Sequence, residues 1–379
     1  MRMLIVSPEY PVETGVGGIG TYVYNFSKAL VEKGIKVTVL SISLKQSSTY
    51  VENGVKVIRL KTKQNPIFRY IEITKWLVVN YKKYDLIEDE IYGGYSAFAR
   101  IILGRKFSYI AKLHGSSLEV MKLEENFQIL KKIKTLLTNQ LEKYTAKNCI
   151  KLIVNSNLMR NFAFFTWGID FSNQQIIPYV YENSQETISE ENDVIKLPEK
   201  YFLYFGRIQK KKGSKVLERL IPKVLKRNPG YLFLLVGRDC ENLKSKLRAN
   251  SKIVFIENIS SKNEIRRIIR NSKVVILPSL FESFLFTAVE SIFEDIPILI
   301  SRNCGVTEYM IETRTKFVVN NFAYEKEYLD RLQEIMDDYS SAKEDIQIQH
   351  EYLRISLNKD KIIGQYLDII DKINEKKYI

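Results

Sequence analysis

The segment Pro278-Ser-Leu-Phe-Glu-Ser-Phe-Leu-Phe-Thr-Ala-Val-Glu290 concentrates more chemistry than any other part of this chain. An apolar run, Val274 to Leu277, ends at Pro278 and reads as a buried strand. A helix is expected to start near Ser283 to Phe286. Glu282 then falls in the connecting loop, and Glu290 about two turns into the helix. A helix N-terminus offers unpaired N–H groups and the positive end of a dipole, which suit a phosphate. A carboxylate touching that phosphate would be repelled, so both glutamates suit hydroxyls instead. A nucleotide sugar has this layout: diphosphate in the middle, ribose on one side, hexose on the other. The plainer reading is an amphipathic helix carrying two solvated glutamates.

A second segment, Phe205-Gly-Arg-Ile-Gln-Lys-Lys-Lys-Gly213, also joins a strand to a helix. Gly206 lets the backbone turn, Arg207 offers a planar fork to phosphate oxygens, and the lysines, Lys212 among them, add point charge. Alone it is equally a basic solvated loop. Near the start, Gly15-Val-Gly-Gly-Ile-Gly20 lacks the G-x-G-x-x-G spacing of a dinucleotide fingerprint, but Gly17 and Gly18 allow a ligand to approach the backbone. His114 ends the strand Tyr109 to Leu113. A lone histidine is usually structural, yet a strand's carboxyl end is where α/β sheets bind ligands.

These residues need strands to hold them. Met3 to Ser7, a glycine loop, a helix from Thr21 to Lys33 and a strand from Ile35 to Ile42 form a βαβ unit, which implies a parallel sheet with helices on its faces. The pattern recurs at Asp85–Glu88, Tyr109–Leu113 and Ile150–Val154, and restarts at Tyr201. Tyr231–Val236, Ile253–Ile256, Val274–Leu277 and Ile296–Ile300 follow, and the chain turns helical from Tyr328. We therefore expect two doubly wound domains: 1–181, a linker at 182–200, and 201–360. A final helix, 361–379, would pack back on the first. The cleft between two such domains is the natural place for a ligand.

Composition narrows the classes. The 379 residues are 45% hydrophobic and 27% charged, which excludes wholesale disorder and a fibrous rod. Three scattered cysteines and two histidines argue against a disulfide scaffold or a metal centre. The beginning lacks a secretory pattern and no 18-residue apolar stretch occurs, so a cytoplasmic protein is expected, in soluble or peripheral form. Residues 1–180 hold 25 basic and 14 acidic side chains, leaving most of the net +14 in that half. Phe68 to Lys83 interleaves basic and aromatic residues on an expected helix. Both features suit an anionic membrane surface on its inner face, or simply a solvated, partly packed helix. Nucleic acid fits the charge but not the carboxylates, and is not expected as a partner. Oligomeric state is not readable.

The order of motifs resembles the retaining, nucleotide-sugar-dependent glycosyltransferases of family four (glycosyl transferases group 1), which have the GT-B fold. It runs from a Gly-Gly loop and a strand-end His to G-R-x₄-K-G, P-S-x₂-E-x₇-E and Gly-x-x-E, and it covers nearly the whole chain. The resemblance implies two Rossmann-like domains facing a cleft and metal-independent, cofactor-free transfer of a hexosyl unit with retention. A glycan or lipid-linked acceptor of cell-surface polysaccharide synthesis is implied with it. Arg207 and Lys212 would clasp the donor diphosphate, Glu290 the ribose, and Glu282 the hexose. Phe284, Leu285 and Phe286 would present backbone groups; Gly206 would turn the loop and Gly237 border the base. Gly17 and Gly18 would approach the phosphate from the first domain, and His114 would lie by the donor sugar. The family's usual Gly-Phe-Gly after the first glutamate is Ser283-Phe284-Leu285 here. A GT-B phosphorylase, which would need a pyridoxal-phosphate lysine, is one rival. A non-catalytic nucleotide-sugar or anionic-lipid binding module on the same fold is another.

Overall fold

A computed structural model describes residues 1–11, 13–14, 17–123, 129–181, 195–257, 259, 261–312 and 315–375. The chain divides into two compact units: Met1–Glu182 with Leu357–Ile379, and Asn183–Ser356. The returning segment thus begins at Leu357, a little before the 361 read from the sequence. Most of the expected linker, 182–194, lies outside the described residues.

The first unit runs β1 (Arg2–Val6), α1 (Gly18–Glu32), β2 (Lys36–Ser43), β3 (Ser48–Glu52), β4 (Val55–Lys61), α2 (Pro66–Asn80), β5 (Leu86–Glu90), α3 (Ala97–Leu103), β6 (Ile110–Leu113), α4 (Ser117–Leu123), α5 (Ile129–Lys147), β7 (Leu152–Val154), α6 (Asn157–Trp167) and β8 (Gln174–Ile176). Its sheet has the order β3-β4-β2-β1-β5-β6-β7-β8 and is parallel except for the β3–β4 pair. Strands such as β1, β6 and β7 are buried on both faces, as βαβ crossovers require. The β3–β4 hairpin was not expected. Its signal was present: Asn53-Gly54, both at positive φ (49° and 77°), is the pair a two-residue hairpin turn favours.

The second unit runs β9 (Tyr201–Phe205), α7 (Ser214–Arg227), β10 (Leu232–Val236), α8 (Leu243–Leu247), β11 (Ile253–Ile256), α9 (Lys262–Arg270), β12 (Val275–Leu277), α10 (Phe286–Phe293), β13 (Ile298–Ser301), β14 (Val318–Val319), α11 (Glu325–Asp337) and α12 (Tyr339–Ser356). Its parallel sheet has the order β11-β10-β9-β12-β13-β14. The strand order reverses beside β9, which makes the carboxyl ends of β9 and β12 the switch point where such sheets bind ligands. This is the doubly wound architecture expected of each half.

The last helix, α13 (Lys359–Glu375), belongs to the first unit. Tyr366 packs edge-on against Phe26 of α1, and Lys359 pairs with Glu32 at 2.7 Å. The C-terminal helix therefore returns to the first unit, as expected.

Candidate active site

In the second unit the site is assembled from backbone contact outward. Gly206 ends β9 and Gly237 ends β10, and the two strand ends touch: a Cβ on Gly237 would lie 2.2 Å from the Gly206 carbonyl oxygen. The next loop is anchored by Ile208, which is fully buried and bonds through its N–H to the Arg238 carbonyl at 2.9 Å. Lys210 to Lys212 form a single tight turn that stops at Gly213, whose φ is +80°. A Cβ there would sit 1.9 Å from the Pro278 carbonyl oxygen, so only glycine lets this loop lie against the start of the β12 loop. The Leu280 N–H donates to the Lys211 carbonyl at 2.8 Å and completes the junction.

The β12 loop is held equally firmly on its other side. Glu282 donates its N–H to the Asn303 carbonyl (3.1 Å) and accepts from the Gly305 N–H (2.9 Å), while the Asn303 amide donates to the Leu280 carbonyl (2.6 Å). The Glu282 carboxylate therefore has a fixed position, with Lys212 Nζ 3.3 Å from it and both side chains mostly covered (15% and 17% exposed). Burial pushes the Glu282 carboxyl up, but Lys212, Lys211 and Arg207 pull it down further, and it stays below the ordinary glutamate range. Glu282 is thus ionised at neutral pH in a field of three cations. Arg207 lies exposed beside this pair.

Phe284 is buried between Phe286 and Tyr309. Leu285 is buried at φ +89°, a conformation L residues rarely adopt, in a position where the resemblance puts glycine. Helix α10 starts at Phe286, the late end of the expected range, so half-buried Glu290 lies a little over one turn into it, not two. Phe286 and Glu290 are four residues apart and share a face of the helix.

In the first unit, Gly17 caps α1 with extended backbone and Gly18 opens the helix. Gly15, the first glycine of that loop, is outside the described residues. His114 does not line an open strand end. It is 5% exposed, and its ring nitrogens meet the Tyr179 hydroxyl and the Glu90 carboxylate. Around it, Glu88 and Glu90 of β5 stand beside Lys112 of β6; Tyr366 of α13 donates to Glu88. Lys112 donates to the Ile177 carbonyl at 2.9 Å and lies over the Tyr22 and Tyr179 rings. Burial, together with the Lys112 charge, depresses His114 to about 3, so the ring is neutral and a feeble base at neutral pH. Burial raises both Glu88 and Glu90, and the Glu90 charge raises Glu88 further. Sequence reasoning missed this cluster because Glu88-Asp-Glu90 reads as a polar strand end, and β5 extends to Glu90.

Two family descriptions match the chain in tandem. Glycosyltransferase Family 4 covers residues 16–179, and glycosyl transferases group 1 covers 185–350. The chain belongs to the GT-B glycosyltransferases of family 4 type. An uncharacterized glycosyltransferase of Methanocaldococcus jannaschii is 23% identical to it over 337 residues, covering 81% of this chain and 82% of that protein. The sucrose-phosphate synthase of Thermosynechococcus elongatus shares the fold of this glycosyltransferase over 99% of both chains, with a TM-score of 0.77 at 18% identity. So does Anabaena HepE in complex with UDP-glucose, with a TM-score of 0.71 at 14% identity over 98% of this chain and 100% of that one.

Among the motif residues of this glycosyltransferase, the structure brings Gly206, Arg207, Lys212, Glu282 and Gly237 to one sheet crevice. Gly17, Gly18 and His114 belong to the first unit. Lys211, Pro278 and Asn303 also build the crevice. Lys211 was legible only as one of three adjacent lysines, and Asn303 carries no sequence signal at all.

Proposed function

We propose that this glycosyltransferase moves a hexosyl unit from a nucleotide-diphosphate sugar to a glycan or lipid-linked acceptor, with retention of anomeric configuration. The observation that carries the reading is the ionised Glu282 held against Lys212, with Lys211 and Arg207 adding to its positive field, at the switch point of the second sheet. Arg207 and Lys212 grip the diphosphate. Glu282 accepts hydroxyls of the hexose and Glu290 those of the ribose. Gly206 and Gly237 let the nucleotide approach the strand ends, while Phe284, Leu285 and Phe286 offer backbone groups. Neutral His114, its two ring nitrogens engaged by Glu90 and Tyr179, offers the reaction no proton acceptor and serves to hold the strand ends of the first unit. The solved HepE complex, which carries UDP-glucose on the same fold, supports a nucleotide sugar as the donor.

In the reaction the bond from the anomeric carbon to the diphosphate oxygen breaks, and negative charge gathers on the leaving group. Fixed cations stabilise that charge without reorganising, so no metal is needed for it. The acceptor hydroxyl attacks from the face the diphosphate leaves. Its proton passes to the departing phosphate oxygen, which accounts for retention without a protein base. The basic excess of residues 1–180 suits an acceptor presented at an anionic surface, as in cell-surface polysaccharide synthesis.

One observation favours a second reading, a nucleotide-sugar binding module without turnover: Leu285 fills a position where the family has glycine. The experiment that separates the two incubates the protein with UDP-, GDP- and ADP-sugars and a chelator. It follows nucleoside diphosphate release, and the anomeric configuration of the product by NMR. Release with a retained anomer supports transfer. Binding without release favours the module, and binding of no nucleotide overturns both.

A further inference from the structure

Helix α5 is inside out. Its buried side chains are Asn139, Glu142, Thr145 and Ala146. Asn139 accepts from Trp167 Nε1 at 3.0 Å; Glu142 accepts from the Gly93 N–H at 3.1 Å and the Ser116 hydroxyl at 2.8 Å. A Cβ on Gly94 would lie 2.6 Å from the Leu141 carbonyl carbon, so the helix backbone is seated directly on that glycine. The polar face is thus the anchored one. On the other side, Ile129, Leu130, Ile133, Leu136 and Leu137 are all exposed, the first two at 77% and 82%. At about 100° per residue these five occupy an arc of roughly 120°, directly opposite the buried polar arc.

An ordinary surface helix has the reverse arrangement, and a contiguous exposed apolar stripe marks an interaction surface. Its flanks are basic. Lys132 and Lys134 border the stripe on either side, Lys131 lies behind, and no acidic residue occurs from Ile129 to Leu141. The neighbouring helix continues the surface: α3 packs against α5, exposes Phe98, Ile101 and Ile102, and is followed by exposed Arg105 and Lys106. By contrast α2, the helix the sequence pointed to, buries Ile73, Thr74 and Leu77 and spends Tyr70 on a bond to the Gly93 carbonyl.

We propose that the outer face of α5, extended by α3, docks this protein on an anionic lipid bilayer, with Leu and Ile side chains in the acyl boundary and the lysines at the headgroups. An apolar stripe rimmed by lysine and free of acids is complementary to such a surface. It is a poorer match for a second copy of this chain, whose identical stripe would bring like charges together. The inference stands apart from the donor site, since it uses none of the residues assigned to donor binding.

The test is sedimentation of the full chain with phosphatidylglycerol vesicles and with phosphatidylcholine vesicles, at low and high salt. Binding to the first only, weakened by salt, is expected. The double change Lys132→Gln with Lys134→Gln should weaken it roughly twenty-five-fold, at about fivefold per lysine. Leu130→Glu with Leu137→Glu should abolish it. UDP, GDP and ADP thermal shifts, read on the same samples, should be the same in the variants as in the parent protein. A parent protein that shifts with no nucleotide would undo the donor reading and leave the vesicle result standing. Absence of binding to anionic vesicles, binding unaffected by either variant, or a dimer that Leu130→Glu with Leu137→Glu dissolves would overturn the docking proposal.

Discussion

At the scale of single residues, Leu285 shows how burial and backbone strain are weighed. Positive φ costs an L residue about 1–2 kcal/mol, while emptying a buried leucine site costs about 2–5 kcal/mol. Burial wins, which is why a leucine persists at φ +89°. Leu285→Gly should therefore lower stability, because it relieves the strain but leaves a void. Leu285→Ala should lower it further, by about 1 kcal/mol, because it keeps the strain and makes nearly the same void. Urea midpoints of the three proteins check this order; an alanine variant more stable than the glycine variant would contradict it. Glu282 and Lys212 were legible in the sequence because their spacing from strand ends is regular. His114 was legible as a strand-end residue only. Its burial depends on Tyr179, Glu90 and Tyr366, which lie far from one another in the chain and share no local pattern.

At the scale of elements, the crevice depends on strand ends close enough that no side chain fits between them. Gly213→Ala would place a methyl group 1.9 Å from the Pro278 carbonyl oxygen, and Gly237→Ala one 2.2 Å from that of Gly206. Each should force its loops apart and remove nucleotide binding while leaving the strands intact. Calorimetric titration with UDP, GDP and ADP, beside far-UV circular dichroism, checks this; native affinity in either variant would show that the loop contact is dispensable. Alternating strands and helices were readable throughout because parallel strands buried on both faces give short apolar runs. The β3–β4 hairpin was missed because an edge strand that is half exposed gives no such run. Helix α10 starts at the late end of its expected range because the left-handed turn at Leu285 delays it.

At the scale of the whole molecule, the first unit stores a pH dependence. Burial raises the carboxyls of Glu88, Asp89, Glu90 and Glu142, with Asp89 and Glu142 brought to about 7. A carboxyl whose folded pKa exceeds its unfolded one stabilises the fold at low pH and loses that contribution as pH rises through the folded value. His114 acts in the opposite sense only below about 6.5, and Lys112, depressed to about 8, only above about 8. Between pH 6.5 and 8 the carboxyls act alone, so the melting temperature should fall across that window, and Glu142→Gln should reduce the fall. A flat or rising profile would contradict the burial of these groups. The two-unit architecture itself was legible from the restart of the strand–helix alternation at Tyr201. The outward face of α5 was not, because an apolar stripe reads the same whether it points in or out. The functional reading depends on one central claim, that cations on the β9 loop grip a donor diphosphate. The most direct test is calorimetric affinity for the tightest-binding of UDP, GDP and ADP in Arg207→Ala and Lys212→Ala. The account predicts at least a tenfold loss in each with an unchanged fold. Affinity equal to that of the parent protein in both variants would contradict it.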